Sequence, residues 1–142
     1  SIDYLPVNEE NKKQIHKYSK LDIHDELDET WKRISGEFIM VWGCQMPWMA
    51  SDMNVSPRSS FDDDKIVLFI IKKGISRIEL LKIFMNLEKG EHITHPNVIT
   101  HDVYGYRLTP DVTSKSYIVI DGELVKQSTL QVITGSYGFI YC

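Results

Sequence analysis

Two carboxylates beside a glycine are the strongest candidates for chemistry in this sequence. Asp121 and Glu123 flank Gly122, directly after the apolar run Ile118–Ile120. An Asp-Gly pair between apolar segments is a strong β-hairpin signal, so the motif also has a purely structural interpretation. In an extended chain, however, residues two positions apart project to the same side. Asp121 and Glu123 would then offer paired carboxylates to a metal ion or a proton. Gly122 would allow a phosphate group to approach the backbone closely.

A second candidate is an apolar helix, which the sequence predicts over residues 76–90. It begins with a capping box, in which Ser76 and Glu79 satisfy each other's backbone amides, and Gly90 supplies the stop. The polar residues between them form one narrow stripe, so the apolar face is wide. Periodicity alone favours a helix wedged into a core. The alternative is a helix whose extra apolar side lines a pocket.

The elements that must position these groups are predicted to be mostly strands. Short strands separated by Gly, Pro, Asn and Asp favour a mainly β, antiparallel architecture with one principal α-helix. Residues 8–33 are polar and show no clear period, so they are predicted to be a variable surface insertion in a single domain of residues 1–142. The strand-like segments are residues 4–7, 37–43, 65–72, 98–108, 117–120, 130–134 and 137–141.

Composition narrows the class of protein. A chain of 142 residues with 42% hydrophobic and 25% charged residues has the length and content of one globular domain. Its net charge of −4 argues against nucleic-acid binding. Cys44 and Cys142 show no disulfide spacing and favour a cytoplasmic location. No apolar run approaches the roughly 18 residues that a membrane span requires, so any membrane contact is expected to be peripheral. Because the sequence begins at Ser1 and ends within a strand-like segment, we expect a piece of a longer protein.

Five motifs in a fixed order give the sequence a family resemblance. They are GISR (residues 74–77), LLKIF (80–84), LEKGEH (87–92), YRLTP (106–110) and VIDGEL (119–124). This ordered set resembles the C-terminal part of the sphingosine kinases, and YLPV (4–7) is similar to the family's strand before its variable insertion. The resemblance covers residues 36–142 well and the preceding residues weakly.

The resemblance implies the C-terminal domain of a two-domain lipid kinase related to the diacylglycerol kinases. Such a domain is an antiparallel β-sandwich that encloses the lipid, while the nucleotide-binding domain, absent from this chain, carries the glycine-rich loop and the general base. The implied reaction transfers the γ-phosphoryl group of ATP to the primary hydroxyl of sphingosine or another long-chain base. By similarity, Glu123 and Asp121 would be catalytic and would serve the Mg²⁺ ion, and Gly122 and Glu123 would contact the nucleotide.

The resemblance also implies a pocket for the lipid tail and contact with the membrane surface. The implied pocket residues are Met49, Met53, Leu80, Leu81, Ile83, Phe84, Leu87 and His92. Because no glycine-rich phosphate loop is present, the chain by itself is expected to be inactive and to require the N-terminal half. Two alternatives stay open: a ceramide or diacylglycerol kinase domain, and a non-enzymatic β-sandwich that binds a lipid.

Overall fold

A computed structural model describes residues 1–60, 63–111, 113, 116–134 and 139–141, the last three as backbone only. The prediction of a mainly β, antiparallel chain is confirmed. The first two residues of the predicted strand 137–141 lie outside the described residues, and so does Cys142. The strands are β1 (Ile2–Pro6), β2 (Lys32–Ile34), β3 (Phe38–Cys44), β4 (Trp48–Ala50), β5 (Met53–Asn54), β6 (Ile66–Lys72), β7 (Val98–Leu108), β8 (Ile118–Ile120), β9 (Glu123–Val125), β10 (Leu130–Ile133) and β11 (Phe139–Tyr141). The helices are α1 (Glu9–Lys13), α2 (Ile15–Tyr18), α3 (Arg77–Met85) and a 3-10 helix (Glu91–Thr94).

The chain divides into two compact units, and β7 contributes to both. The first unit holds residues 1–35 and 105–142. In it β10 pairs antiparallel with β11 and with the end of β7, and β1 pairs antiparallel with β2. Gly105 is required where β7 meets β10, because a Cβ there would lie 2.9 Å from the carbonyl oxygen of Val132. Strands β8 and β9 form a separate hairpin.

The second unit, residues 36–104, is built around β6. This strand consists almost entirely of branched and aromatic apolar residues, and Ile66 to Ile71 are all buried. It pairs antiparallel with β3 on one side and with the first part of β7 on the other. A run of apolar residues without alternation is typical of a strand that is covered on both faces.

Helix α3 follows β6 and begins where the sequence predicts. Ser76 has an extended backbone, its hydroxyl accepts from the Glu79 amide at 3.2 Å, and Glu79 returns to the Ser76 amide at 3.0 Å. The helix ends earlier than predicted, at Met85, with Asn86 as its cap. Gly90 instead has a left-handed φ of 68° and precedes the 3-10 helix.

Residues 8–33 contain more structure than their lack of periodicity predicts. Asn8 caps α1, and Tyr18 and Trp31 are buried against each other with their ring centroids 6.2 Å apart. Asp28 accepts hydrogen bonds from Lys17 and from Thr30. Burial would raise the pKa of Asp28, but these bonds lower it further than burial raises it. These polar and aromatic contacts within the segment give it a defined structure.

Candidate functional site

The Asp-Gly motif forms the predicted hairpin. β8 pairs with β9 in the register Ile120↔Glu123, which leaves Asp121 and Gly122 as a two-residue turn. Their φ angles are 49° and 86°, and a type I′ turn requires a positive φ at both of these positions. Both residues and Glu123 are exposed. A tight turn at the end of two short strands thus presents the two carboxylates to solvent.

The extended geometry assumed for this carboxylate pair is wrong. Asp121 lies in the left-handed region rather than in a strand, so the alternation rule does not relate it to Glu123. Glu123 is instead the cross-strand partner of Ile120, and such partners share one face of a hairpin. On that face a cavity of about 160 Å³ is lined by Ile118, Ile120 and Val125, together with residues of the loop before β10 and Leu130 at the start of that strand. Glu123 therefore lies on the face of the hairpin that borders this cavity, at the end next to the turn.

The donor set of the hairpin suits a magnesium ion bound together with a phosphate. Mg²⁺ commonly takes one or two protein carboxylates and leaves its other positions to water and substrate phosphates. Asp121 and Glu123 supply two such carboxylates beside a glycine. Within the described residues no group of three or more His, Cys, Asp or Glu side chains could hold a metal ion. The two carboxylates of the hairpin therefore fit a metal site whose other ligands are water and phosphate better than a site formed by protein ligands alone.

The residues predicted to line a lipid pocket lie in the second unit, whereas the carboxylates lie in the first. Six of these residues belong to α3 or to the turns that follow it. Ile83 and Leu87 are buried, Leu80 is half-buried, and Leu81 and Phe84 are exposed. Helix α3 thus buries one apolar side and leaves another open, because its apolar residues extend around most of the helix.

Phe84 contacts Trp42 of β3, a residue that the sequence analysis did not select. Their ring centroids are 6.4 Å apart at an angle of 61°, an edge-to-face arrangement. Met49 is exposed in the β4–β5 hairpin and Met53 is half-buried. The apolar, Met- and Trp-rich composition of residues 45–53 was the signal available for this surface, but the Trp42–Phe84 contact depends on strand register, which a single sequence does not show.

His92 is a buried histidine of the second unit. Its Nε2 donates to the carbonyl oxygen of Val55 at 3.0 Å, and its ring lies 5.3 Å from that of Phe69. This bond assigns the proton to Nε2, so Nδ1 of the neutral ring carries a lone pair, and no group among the described residues donates a hydrogen bond to it. Burial lowers the pKa of His92, and the bond to Val55 opposes this. A neutral His92 therefore carries a buried hydrogen-bond acceptor at Nδ1.

Arg107, within the YRLTP motif, is a buried cation that the sequence analysis did not select as functional. Its Nε donates to Gln131 at 2.7 Å, and its two terminal nitrogens donate to the carbonyl oxygens of Asp25 and Asp22 at 2.8 and 3.0 Å. Gln131 in turn donates to the carbonyl oxygen of Leu21 at 2.8 Å. Arg107 and Gln131 thus hold the 21–25 loop against β7 and β10 and are positioning groups.

The Cys44 thiol is a poor candidate for covalent chemistry. Burial raises the pKa of the Cys44 thiol to about 11, so this cysteine is almost wholly protonated at neutral pH and is a poor nucleophile. Among the described residues, no helix is both long enough and apolar enough to cross a membrane.

Comparisons with known proteins agree with the resemblance seen in the sequence. The sequence profile of the YegS C-terminal NAD kinase beta sandwich-like domain matches residues 9–138. The chain is 29% identical over 107 residues to human sphingosine kinase 2, an alignment that covers 74% of the chain and 16% of that protein. It is 30% identical over 118 residues to sphingosine kinase B of Dictyostelium discoideum, covering 80% of the chain and 16% of that protein.

A third relative is matched over a larger share of the chain. Human sphingosine kinase 1 is 26% identical over 143 residues, which covers 92% of the chain and 37% of that protein. The chain therefore spans well under half the length of these three relatives. The predicted resemblance to the C-terminal part of the sphingosine kinases is confirmed.

Proposed function

Because this chain belongs to the family of YegS C-terminal NAD kinase beta sandwich-like domains, we propose that it is the lipid-binding domain of a sphingosine kinase. In the proposed reaction, the γ-phosphoryl group of ATP is transferred to the primary hydroxyl of sphingosine or another long-chain base. The similarity to sphingosine kinases over most of the chain carries this proposal. The nucleotide-binding half would come from sequence outside these 142 residues.

In this proposal the β8–β9 hairpin serves the phosphoryl-transfer step. Catalysis of phosphoryl transfer depends on positioning and on neutralising phosphate charge, and Mg²⁺ supplies that neutralisation when it is bound with ATP. Glu123 and Asp121 would hold the ion, directly or through water, and Gly122 would leave room for a phosphate. The exposure of all three residues supports this role, because the described part of the chain leaves them accessible to a metal ion and a nucleotide.

The lipid tail would lie along the open apolar side of α3. Phe84 and Trp42 form an aromatic wall there, and Leu80, Leu81 and Met53 offer further apolar surface. Ile83 and Leu87 would support this wall from the buried side of the helix. Met49, exposed on a short hairpin, is suited to fold over a tail because methionine adapts to irregular shapes. His92 would accept a hydrogen bond from a polar group or a water at the inner end.

The proposed enzyme would act in the cytoplasm at a membrane surface, since a long-chain base partitions into membranes. Two alternatives predict different results. A ceramide or diacylglycerol kinase domain would use the same hairpin with another lipid, and a substrate panel separates these cases. A non-enzymatic lipid-binding domain would bind a lipid without any phosphoryl transfer.

A complementation assay tests the proposal. The 142-residue chain is assayed for ATP-dependent phosphorylation of detergent-dispersed sphingosine, alone and fused to the nucleotide-binding half of a sphingosine kinase. We expect activity only in the fusion, and Mg²⁺ should be required. An inactive fusion in which both halves are folded would favour the non-enzymatic alternative, and preferential use of ceramide or diacylglycerol would favour the other kinases.

Glu123→Gln in the active fusion tests the role of the hairpin. Turnover should fall by about two orders of magnitude or more, because a group that stabilises phosphate charge acts mainly in the transition state. The melting temperature should not change, since Glu123 is exposed. Glu29→Gln, which replaces an exposed carboxylate far along the sequence, is the matched control and should retain activity. Wild-type turnover in Glu123→Gln would disprove the role.

A further inference from the structure

Helix α3 carries an exposed apolar stripe that its packing in the second unit does not use. Ile78, Leu81 and Met85 are 68%, 59% and 71% exposed. At about 100° per residue, these three side chains lie within about 60° of one another around the helix axis. They face away from Ile83, which is buried. The stripe is therefore a continuous apolar surface on the outer side of the helix.

Cations border this stripe on both sides. Lys82 follows Ile78 by one turn on one side, and Arg77 lies on the other, and both are exposed. Glu79 is the acidic residue within the helix, and it lies further from the stripe around the helix axis than Lys82 does. Its carboxylate accepts hydrogen bonds from the Ser76 amide and hydroxyl in the cap. The flanks of the stripe are thus positive.

The sequence on either side of the helix adds to this positive charge. Residues 72–89 contain five basic and two acidic residues, a net charge of +3, in a chain whose net charge is −4. Lys73 is paired with Glu37 at 2.9 Å, which offsets part of that charge, whereas Lys72, Arg77, Lys82 and Lys89 are exposed. Exposed apolar side chains that are bordered by Lys and Arg offer the apolar surface and the positive charge that contact with an anionic bilayer requires.

We propose that the Ile78–Leu81–Met85 stripe docks on an anionic membrane surface, with Arg77 and Lys82 contacting lipid headgroups. This inference rests on the proposed membrane association and names the surface responsible for it. The same helix would then contact the bilayer through Ile78 and Met85 and the lipid tail through Phe84. Leu81 lies between these side chains around the helix and would border both surfaces, so that a long-chain base could leave the membrane beside its binding surface.

Vesicle sedimentation tests this proposal without ATP or substrate. Binding of the chain is measured to phosphatidylcholine vesicles with and without phosphatidylserine. We expect binding to the anionic vesicles that weakens with salt. Ile78→Ser/Met85→Ser should weaken it at least tenfold. Arg77→Gln/Lys82→Gln should weaken it about thirtyfold on anionic vesicles and reduce the salt dependence, part of which Lys72 and Lys89 would retain.

Val119→Ser/Leu124→Ser is the matched control, because these hairpin residues are similarly exposed, at 59% and 66%, but lie outside the stripe. It should bind like the wild type. If the stripe variants bind anionic vesicles as the wild type does, the surface is wrong although the membrane association stands. If the wild type does not bind anionic vesicles, both are wrong, while kinase activity on detergent-dispersed substrate still tests the reaction separately.

Self-association is the competing explanation for the stripe. Sedimentation velocity would reveal a dimer of the wild-type chain that the Ile78→Ser/Met85→Ser variant loses, and that result would overturn the proposal. Circular dichroism melting checks each variant, and the charge-removing variant carries the test if the apolar one does not fold.

Discussion

Asp121 has a conformational role and a proposed chemical role, and one substitution separates them. Its φ of 49° is unfavourable for most residues but is tolerated by Asp and Asn. Asp121→Asn should therefore keep the hairpin and leave the melting temperature unchanged, while it removes one carboxylate from the proposed metal site. In the active fusion we expect a higher Mg²⁺ requirement and lower turnover, measured by magnesium titration.

Gly122→Ala provides the complementary variant for this test. A Cβ at Gly122 would meet no atom within 4 Å, so the cost comes from its φ of 86° alone, about 1 kcal/mol. Gly122→Ala keeps both carboxylates, so the Mg²⁺ requirement should stay that of the wild type, while stability falls and the added Cβ narrows the room proposed for a phosphate. If Asp121→Asn titrates with magnesium as the wild type does, Asp121 is only a turn residue.

His92 makes the stability of the chain depend on pH. Burial lowers its pKa in the folded state, so below the unfolded pKa of about 6.5 the unfolded chain binds more protons than the folded one. The free energy of unfolding should therefore decrease as the pH falls below about 6.5, by at most about 1.4 kcal/mol per pH unit from this group. Urea unfolding at several pH values measures this slope.

His92→Gln is the comparison for the pH measurement. A glutamine amide can still donate to the Val55 carbonyl but does not titrate, so the variant should lose less stability between about pH 7 and pH 5.5. Equal slopes in the two proteins would show that His92 is not the group responsible.

At the scale of elements, the start of α3 depends on two residues. Ser76→Ala removes the hydroxyl that accepts from the Glu79 amide, and loss of such a cap costs about 1 kcal/mol. The Ser76 backbone amide and hydroxyl also lower the pKa of Glu79. This contribution is present above the unfolded pKa of Glu79 and is lost as the pH falls through the lower, folded value.

The expected result for Ser76→Ala is a lower free energy of unfolding near pH 7 and a smaller difference from the wild type at acidic pH. Chemical denaturation at both pH values measures it. Ser51→Ala, in an exposed turn, is the control and should unfold like the wild type. A Ser76→Ala variant of unchanged stability would mean that the cap observed here contributes little in solution.

The elements that a local signal specifies were predictable, and those that depend on distant contacts were not. The capping box at Ser76 and the Asp-Gly turn are encoded within four residues, and both form as predicted. The burial of Tyr18 against Trp31 joins residues that are 13 positions apart and have no periodic pattern around them. This is why residues 8–33 looked like a plain surface connection.

The candidate site shows the same division. The sequence located Asp121 and Glu123, but their relative geometry follows from the positive φ of Asp121, which the alternation rule for strands does not include. Likewise, the wide apolar circumference of α3 was visible in the sequence. Which side would be buried is a tertiary property, and the structure buries Ile83 while it leaves Leu81 exposed.

For the whole molecule, the open apolar side of α3 makes a quantitative prediction about the lipid tail. Burial of one CH₂ group contributes about 0.8 kcal/mol, or about a fourfold change in affinity. Leu81, Phe84 and Met49 are exposed, so a tail lying on them would keep one side in water and gain roughly half of that energy. Two fewer CH₂ groups should then weaken binding to this chain about fourfold.

Further parts of a complete kinase that cover the tail would make this dependence steeper. With both sides buried, the same shortening should weaken binding about fifteenfold. We therefore expect the affinity for a series of long-chain bases to depend more steeply on tail length in the fusion than in the 142-residue chain, as measured by calorimetry in detergent-free buffer. Phe84→Ala should flatten the dependence in both proteins because it removes part of the wall. Equal steepness in the chain and the fusion would mean that this domain alone encloses the tail, and no dependence on tail length would mean that the tail binds elsewhere.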